Sequence, residues 1–369
     1  MNKIRVLHIF SGVGGGISAW IRNAAETTSK NVENDAMAFS ITNKNGFIDI
    51  IMLNGGHCFE MPRISSGFFK LIRFVENRIQ SGNYDVVHCH MDGIDALIFG
   101  FIARYKCHKP FIVHAHRTDI ERFSQKWYMP MLTRLNRAAS NEIAQYKIAC
   151  GEKAKIFAFG KNANNVNIIF NSIGSIQAVE EIKPVGSKIN LITVGRLDRV
   201  KNHDFSLRIV KQLKNKGYAI HLDILGTGNL ENEIIQKIKM YDIEDVVQMR
   251  GYCNNTSDYF LNADIMLLPS FSEGLPTVMI EAQAYGCAVI ASNRITRECD
   301  LQIDRVEFCD ICDSSLNCWE EKILKFGKKK NVKQTELIEK INEKGFSTSN
   351  VYKKYIETLS IITGVNIYD

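Results

Sequence analysis

Short apolar runs rich in β-branched residues alternate along this chain with longer stretches of helical spacing. Residues 4–10 open it as a strand pattern, Ser11–Gly16 follow as a glycine-rich loop, and helical periodicity runs from Ile17 to about Thr28. Further strands are predicted at residues 36–41, 50–53, 86–90, 111–114, 147–150 and 166–170, with helices between them. The rhythm restarts at residues 189–195 and continues through 220–225, 246–250, 263–269 and 288–292. Strands alternating with helices predict parallel sheets covered on both faces. The fold class is therefore α/β, with two Rossmann-like doubly wound domains. Residues 1–174 form the first, a polar proline-containing stretch at 175–188 the linker, and residues 189–348 the second, with a last helical stretch at 349–369.

The most informative stretch is Ser270-Phe271-Ser272-Glu273-Gly274-Leu275-Pro276-Thr277-Val278-Met279-Ile280-Glu281-Ala282. It runs from a buried strand through a loop into a helix closed by Gly286. Pro276 suits the first helical turn, since it lacks the N–H that has no partner there. Gly274 permits close backbone approach, and the amides of Leu275, Thr277 and Val278 would point from the positive end of the helix dipole, a place for a phosphate. Glu273 and Glu281, eight residues apart, cannot share a proton but can grip opposite ends of an elongated ligand. A surface helix with solvated glutamates is the bland alternative.

Two other patterns change that balance. Gly195-Arg196-Leu197 with Lys201 five residues after the Arg follows a strand, and offers a planar fork and a mobile point charge to a diphosphate. Gly12-Val13-Gly14-Gly15-Gly16 follows the first strand. It lacks the last glycine of a dinucleotide loop, where Ile17 stands, which argues against a nicotinamide site.

Together these motifs resemble the retaining glycosyltransferases of family 4, and especially bacterial members of capsule, exopolysaccharide and lipopolysaccharide assembly; the resemblance implies the GT-B fold, two Rossmann-like domains facing each other across a cleft, with the helix at 349–369 crossing back to the first. The resemblance implies a hexosyltransferase that takes its sugar from a nucleoside diphosphate, uridine being the expected nucleoside. It implies an acceptor that is a growing, lipid-linked saccharide. By the same resemblance Glu273 meets the transferred sugar, Glu281 the ribose, Arg196 and Lys201 the diphosphate, and Gly15 and Gly16 the sugar–phosphate side. Gly274, Leu275 and Thr277 complete the donor site, Tyr252 lies by the base, and His116 is the active-site histidine beside the sugar. Asn171-Ser172-Ile173-Gly174 partly keeps an Asn-Gly-Ile-Asp-like family segment. No Asp-x-Asp occurs, so no metal and no cofactor are expected, the two basic residues taking the metal's place at the diphosphate. A nucleotide-sugar 2-epimerase of the same fold, or a non-catalytic donor-binding subunit, are the rival functions.

His88, His90 and His114 flank His116 at the ends of two predicted strands and read as core residues. His-x-His could bind metal, but spacing indicates no third ligand. Cys299, Cys309, Cys312 and Cys318 are too irregularly spaced for a convincing zinc site.

Charge is uneven. Residues 1–175 carry 21 Lys+Arg against 13 Asp+Glu, or +8, whereas residues 176–369 carry 25 against 27, or −2. Between Arg117 and Arg137, the basic residues Arg122, Lys126 and Arg134 mingle with Phe123, Trp127, Tyr128, Met129, Met131 and Leu132. Such a segment either lies on an anionic membrane surface or packs as an ordinary amphipathic helix. Nucleic acid is not an expected partner, as no basic-aromatic module or zinc-finger spacing is present. No run approaches the ~18–20 apolar residues that span a bilayer, and no signal-peptide core is apparent, so a cytoplasmic protein, peripheral on the inner membrane face, is expected.

Overall fold

A computed structural model of the chain describes residues 3–118, 128–174, 176–182, 186–253, 255–328 and 332–365. Arg122, Phe123, Lys126 and Trp127 of the basic-aromatic segment, and part of the predicted linker, lie outside these. The chain divides into two compact units, Met1–Ser172 with Phe346–Asp369, and Ile173–Gly345.

In the first unit the described residues form a seven-stranded parallel sheet of β1 (Ile4–Phe10), β2 (Val32–Ala38), β3 (Cys58–Glu60), β4 (Val86–Cys89), β5 (Phe111–Ala115), β6 (Tyr146–Ala149) and β7 (Val166–Ile168), in the order β3-β2-β1-β4-β5-β6-β7. The connecting helices are α1 (Gly16–Thr28), α2 (Phe47–Leu53), α3 (Phe68–Ser81), α4 (Ile94–Phe101), α5 (Met129–Ile143) and α6 (Glu152–Ala158).

Two predicted strands come out differently. Residues 50–53 are helical: Phe47 and Ile51, one helical turn apart, are buried, while Met52 and Leu53 face solvent. The strand expected at 36–41 begins earlier, at Val32, and takes in the polar Glu33-Asn34-Asp35. Burial of Asn34 and Asp35 is compensated, because Asp35 accepts from the Tyr84 hydroxyl at 2.5 Å and from the His57 amide at 2.7 Å. The short strand β3 carries no sequence pattern of its own.

In the second unit the short β8 (Glu181–Ile182) pairs antiparallel with β15 (Val332–Lys333). Its main sheet is parallel and built from β9 (Ile189–Val194), β10 (Ile220–Leu225), β11 (Val247–Gly251), β12 (Ile265–Leu268), β13 (Ala288–Ser292) and β14 (Val306–Cys309), ordered β11-β10-β9-β12-β13-β14. Helices α7 (His203–Asn215), α8 (Glu231–Met240), α9 (Ser257–Asn262), α10 (Thr277–Ala284), α11 (Leu316–Phe326) and α12 (Gln334–Glu343) accompany it.

The last helix, α13 (Thr348–Thr363), belongs to the first unit. Its Val351, Tyr352, Tyr355 and Leu359 enter the core with Trp20 and Ile21 of α1, and the Tyr352 hydroxyl donates to the Trp20 carbonyl at 2.8 Å. Among the described residues, no helix is long and apolar enough to cross a membrane.

Strand order reverses between β1 and β4 in the first sheet and between β9 and β12 in the second. At such a switch point the loops leaving the two central strands diverge to opposite faces and open a crevice beyond the strand ends. Glycine-rich Gly12–Gly16 and His90 follow the central pair of the first sheet; Arg196–Lys201 and Ser270–Pro276 follow that of the second.

Candidate functional site

In the second unit the two motif loops meet directly. The Phe271 amide donates to the Val200 carbonyl at 2.8 Å, and Asn202 Nδ2 donates to the Pro269 carbonyl at 3.1 Å. Asp198 shapes the first loop, accepting from the amides of Val200 and Lys201 at 3.0 and 3.3 Å. Asn202 turns the chain into α7 with φ 54°, a left-handed conformation that Asn tolerates better than most side chains. These contacts carry Lys201 to Glu273, its Nζ lying 2.6 Å from Oε1. Both side chains are largely buried, at 15% and 13% exposure. Arg196 points outward, 67% exposed, with Asp198 3.0 Å away.

Gly226, in the loop after β10, explains how closely that loop approaches the one after β9. Its φ is +140°, and a Cβ there would sit 1.8 Å from the Gly195 carbonyl oxygen. Its amide donates to the Gly251 carbonyl at 2.7 Å, so the residue after β11, Tyr252, stands beside the same loop, 46% exposed.

Helix α10 begins at Thr277, directly after Pro276. The first amides of a helix have no partner within it, and those of Thr277 and Val278 come directly after the loop that holds Glu273. The helix is fixed from behind: Gln283 donates to the carbonyls of Met279 and Cys299 and accepts from the Leu301 amide at 2.9 Å. Tyr285, just past its end, donates to Ser257 Oγ at 2.7 Å. Leu275 is buried, and Glu281 stands on the second turn. Burial pushes the Glu281 carboxyl up to about 7, the Thr277 hydroxyl opposing that rise.

The remaining predicted residues lie in the first unit. Gly15, with φ 92°, and Gly16 form the start of α1, where a Cβ would meet open space. The loop is held by Gly14 N–H donating to Ser18 Oγ at 2.9 Å, beside a concavity lined by Arg22, Lys44 and Asn45. His116 follows β5 as one of five clustered imidazoles. His8 Nδ1 and His90 Nε2 are 2.9 Å apart, His90 Nδ1 and His116 Nε2 3.0 Å, and His88 Nε2 and His114 Nδ1 3.2 Å. His88 Nδ1 is 3.0 Å from the Tyr355 hydroxyl of α13. Burial lowers all five, His8 to about 4 and His116 to about 3, so the rings are neutral.

Spacing along the chain gave no sign of His8 in this cluster. It pairs with His88 across neighbouring strands, and a histidine near the carboxyl end of several apolar strands was the available signal. Ring nitrogens of His90, His114 and His116 lie within 4.8 Å of one another, as do those of His8, His88 and His90. Cys309 and Cys318 face each other at 3.1 Å, while Cys312 is exposed and paired with Ser314.

Residues 177–344, nearly all of the second unit, match the family of glycosyl transferases group 1. Both sheets have the parallel Rossmann-like order of the GT-B fold. A crystal structure of HepE from Anabaena in complex with UDP and glucose superposes with a TM-score of 0.73 at 16% identity, covering 97% of this chain and 100% of that one. The second unit thus resembles the group 1 glycosyl transferases, and the chain as a whole has the GT-B fold.

Among the relatives, EpsF of Bacillus subtilis, a glycosyltransferase by name, is 28% identical over 337 residues, 86% of each chain. The capsular polysaccharide biosynthesis glycosyltransferase CapH of Staphylococcus aureus is 26% identical over 309 residues, 79% of this chain and 81% of that one.

Proposed function

We propose that this chain is a retaining hexosyltransferase that moves a sugar from a uridine diphosphate donor to a growing, lipid-linked surface saccharide. The observation that carries the reading is the 2.6 Å pair of Lys201 and Glu273, set by the two motif loops before the first amides of α10. A cation, a carboxylate and free helix amides in one place suit a ligand with an anionic middle and a hydroxylated end. Arg196 and Lys201 stabilise the charge that builds on the departing diphosphate, the role a metal ion would otherwise take. Gly274, Leu275 and Thr277 shape the phosphate bed. Glu273 accepts from sugar hydroxyls, Glu281 from the ribose, and Tyr252 lies by the base. Gly15, Gly16 and His116 serve the sugar side.

Support for the donor comes from HepE, whose structures are described as holding UDP, UDP with glucose, and UDP-glucose. Support for the acceptor comes from a Campylobacter jejuni relative, 35% identical over 103 residues, whose name specifies a diphospho-undecaprenol-linked acceptor. It covers only 28% of this chain.

Attachment to an anionic membrane surface fits the first unit. Helices α4 and α5 pack together, and Phe101, Met131 and Leu135 on them are more than half exposed, with Arg134 exposed alongside. Apolar side chains beside cations are what an anionic lipid interface takes up.

Incubation with a panel of nucleoside-diphosphate sugars tests the function. Hydrolysis or transfer of a UDP-sugar with retained anomeric configuration is the expected result, undiminished by a chelator. Turnover to a 2-epimer without acceptor, or binding with no cleavage of any donor, would replace this reading with the epimerase or the binding subunit.

A further inference from the structure

We propose that His8 and His90 are positioning residues: through ring-to-ring hydrogen bonds they hold His116 in the tautomer protonated at Nε2, leaving Nδ1 as a bare acceptor. The assignment starts at α1. Thr28 Oγ1 donates to the Ala24 carbonyl at 2.7 Å, so it receives Asn34 Nδ2 at 3.1 Å as an acceptor. That fixes the amide of Asn34, and its Oδ1, which can only accept, faces His8 Nε2 at 2.9 Å. His8 Nε2 therefore carries the proton.

A neutral imidazole has one donor and one acceptor, so each assignment forces the next. His8 Nδ1 is bare and accepts from His90 Nε2 at 2.9 Å; His90 Nδ1 is then bare and accepts from His116 Nε2 at 3.0 Å. His116 is left with a proton on Nε2 and none on Nδ1. Tyr355, His88 and His114 form a separate run, and among the described residues it shares no hydrogen bond with this one.

His116 Nδ1 and Asn171 Oδ1 are both buried and form no hydrogen bond of ordinary geometry among the described residues, although the two side chains lie near each other and Asn171 raises the His116 pKa against the effect of burial. A bare Nδ1 is complementary to a donor, either a sugar hydroxyl or the Asn171 amide turned over so that its nitrogen replaces the unpartnered Oδ1, and it repels a phosphate or carboxylate oxygen. The consequence for sugar recognition rests on His116 serving the sugar side; the tautomer does not.

Nitrogen-15 NMR of histidine-labelled protein reads the tautomer directly. Wild type should show His116 as the Nε2–H form. His8→Phe removes the acceptor that orients His90, so His116 should shift toward Nδ1–H or a mixture, whereas Tyr355→Phe should leave it unchanged. His8→Phe should also lower kcat ~10-fold or more, as expected when a catalytic histidine takes the wrong tautomer, with KM for the donor little changed.

An Nδ1–H form in wild type overturns the proposal, and needs no variant to fold. So does an unchanged His116 in His8→Phe, or stoichiometric zinc binding that abolishes the ring-to-ring couplings, which would make the cluster a metal site. Full activity of His116→Ala with the tautomer as expected would instead remove the sugar-side role and leave the relay standing.

Discussion

Lys201 and Glu273, 72 residues apart in sequence, form a 2.6 Å ion pair between the loops that follow the two central strands of the second sheet. Sequence motifs assign the two to different parts of a nucleotide sugar, the lysine to the diphosphate and the glutamate to the sugar. Their contact means that each orients the other before any ligand arrives. It also means that removing Glu273 leaves an uncompensated, largely buried ammonium, which attracts an anion.

The two carboxylates should therefore separate in titration calorimetry against bare UDP. Glu281→Gln should weaken UDP ~10-fold, since a hydrogen bond to a charged group contributes ~1.5–3 kcal/mol. Glu273→Gln should hold or strengthen UDP binding while depressing kcat/KM for transfer. Equal weakening by both would mean that α10 binds its ligand in the opposite direction.

Glu281 gives stability a pH signature. Burial raises its folded-state pKa from 4.5 to about 7, so between these values the folded chain binds more protons than the unfolded one. Its contribution is therefore most favourable below the unfolded pKa and is lost as pH rises through about 7. At ~1.4 kcal/mol per unit, reduced because the side chain is partly exposed, this amounts to ~1–3 kcal/mol. Relative to Glu281→Gln, wild type should lose that much stability between pH 5 and 8 in urea melts. Parallel stability curves for the two proteins would show that Glu281 does not titrate there.

His116→Ala should lower kcat ~10-fold or more with little change in melting temperature, as when a transition-state contact is removed. A large drop in melting temperature with normal activity in the remaining folded protein would make His116 a core residue.

Vesicle sedimentation tests the α4–α5 face. Binding should require anionic lipid and weaken with salt, because attraction is screened over ~8–10 Å at ordinary ionic strength. Replacing Phe101 and Met131 by Ser should reduce it at unchanged stability. Equal binding to neutral vesicles, or none to either, would count against this surface.

Gly226→Ala should destabilise the protein by at least ~2 kcal/mol, because the added methyl meets a backbone carbonyl that has little room to move and the φ of +140° is strained for alanine. A melting temperature within a degree of wild type would show that the loops after β9 and β10 can separate.

The alternation of apolar runs and helical spacing by itself determined two parallel, doubly wound sheets, because a strand buried on both faces must be continuously apolar and a covering helix must be apolar on one side. It also determined the motif loops, since Gly195-Arg196-Leu197 and Glu273-Gly274-Leu275-Pro276 carry their chemistry in consecutive residues. Local pattern failed where burial is paid for by a distant partner. Asn34 and Asp35 precede the strand predicted at 36–41, and the partners that let them join it are Thr28, His8, Tyr84 and His57. Residues 50–53 look like a strand until Phe47 and Ile51 are seen to bury one helical face. Only the tertiary structure decided that Lys201 meets Glu273, and that His8 and His90 join His116 in one hydrogen-bonded run. Those contacts depend on strand order, and in a parallel sheet strands distant in sequence become neighbours with nothing in either strand's own residues to record which partner it takes.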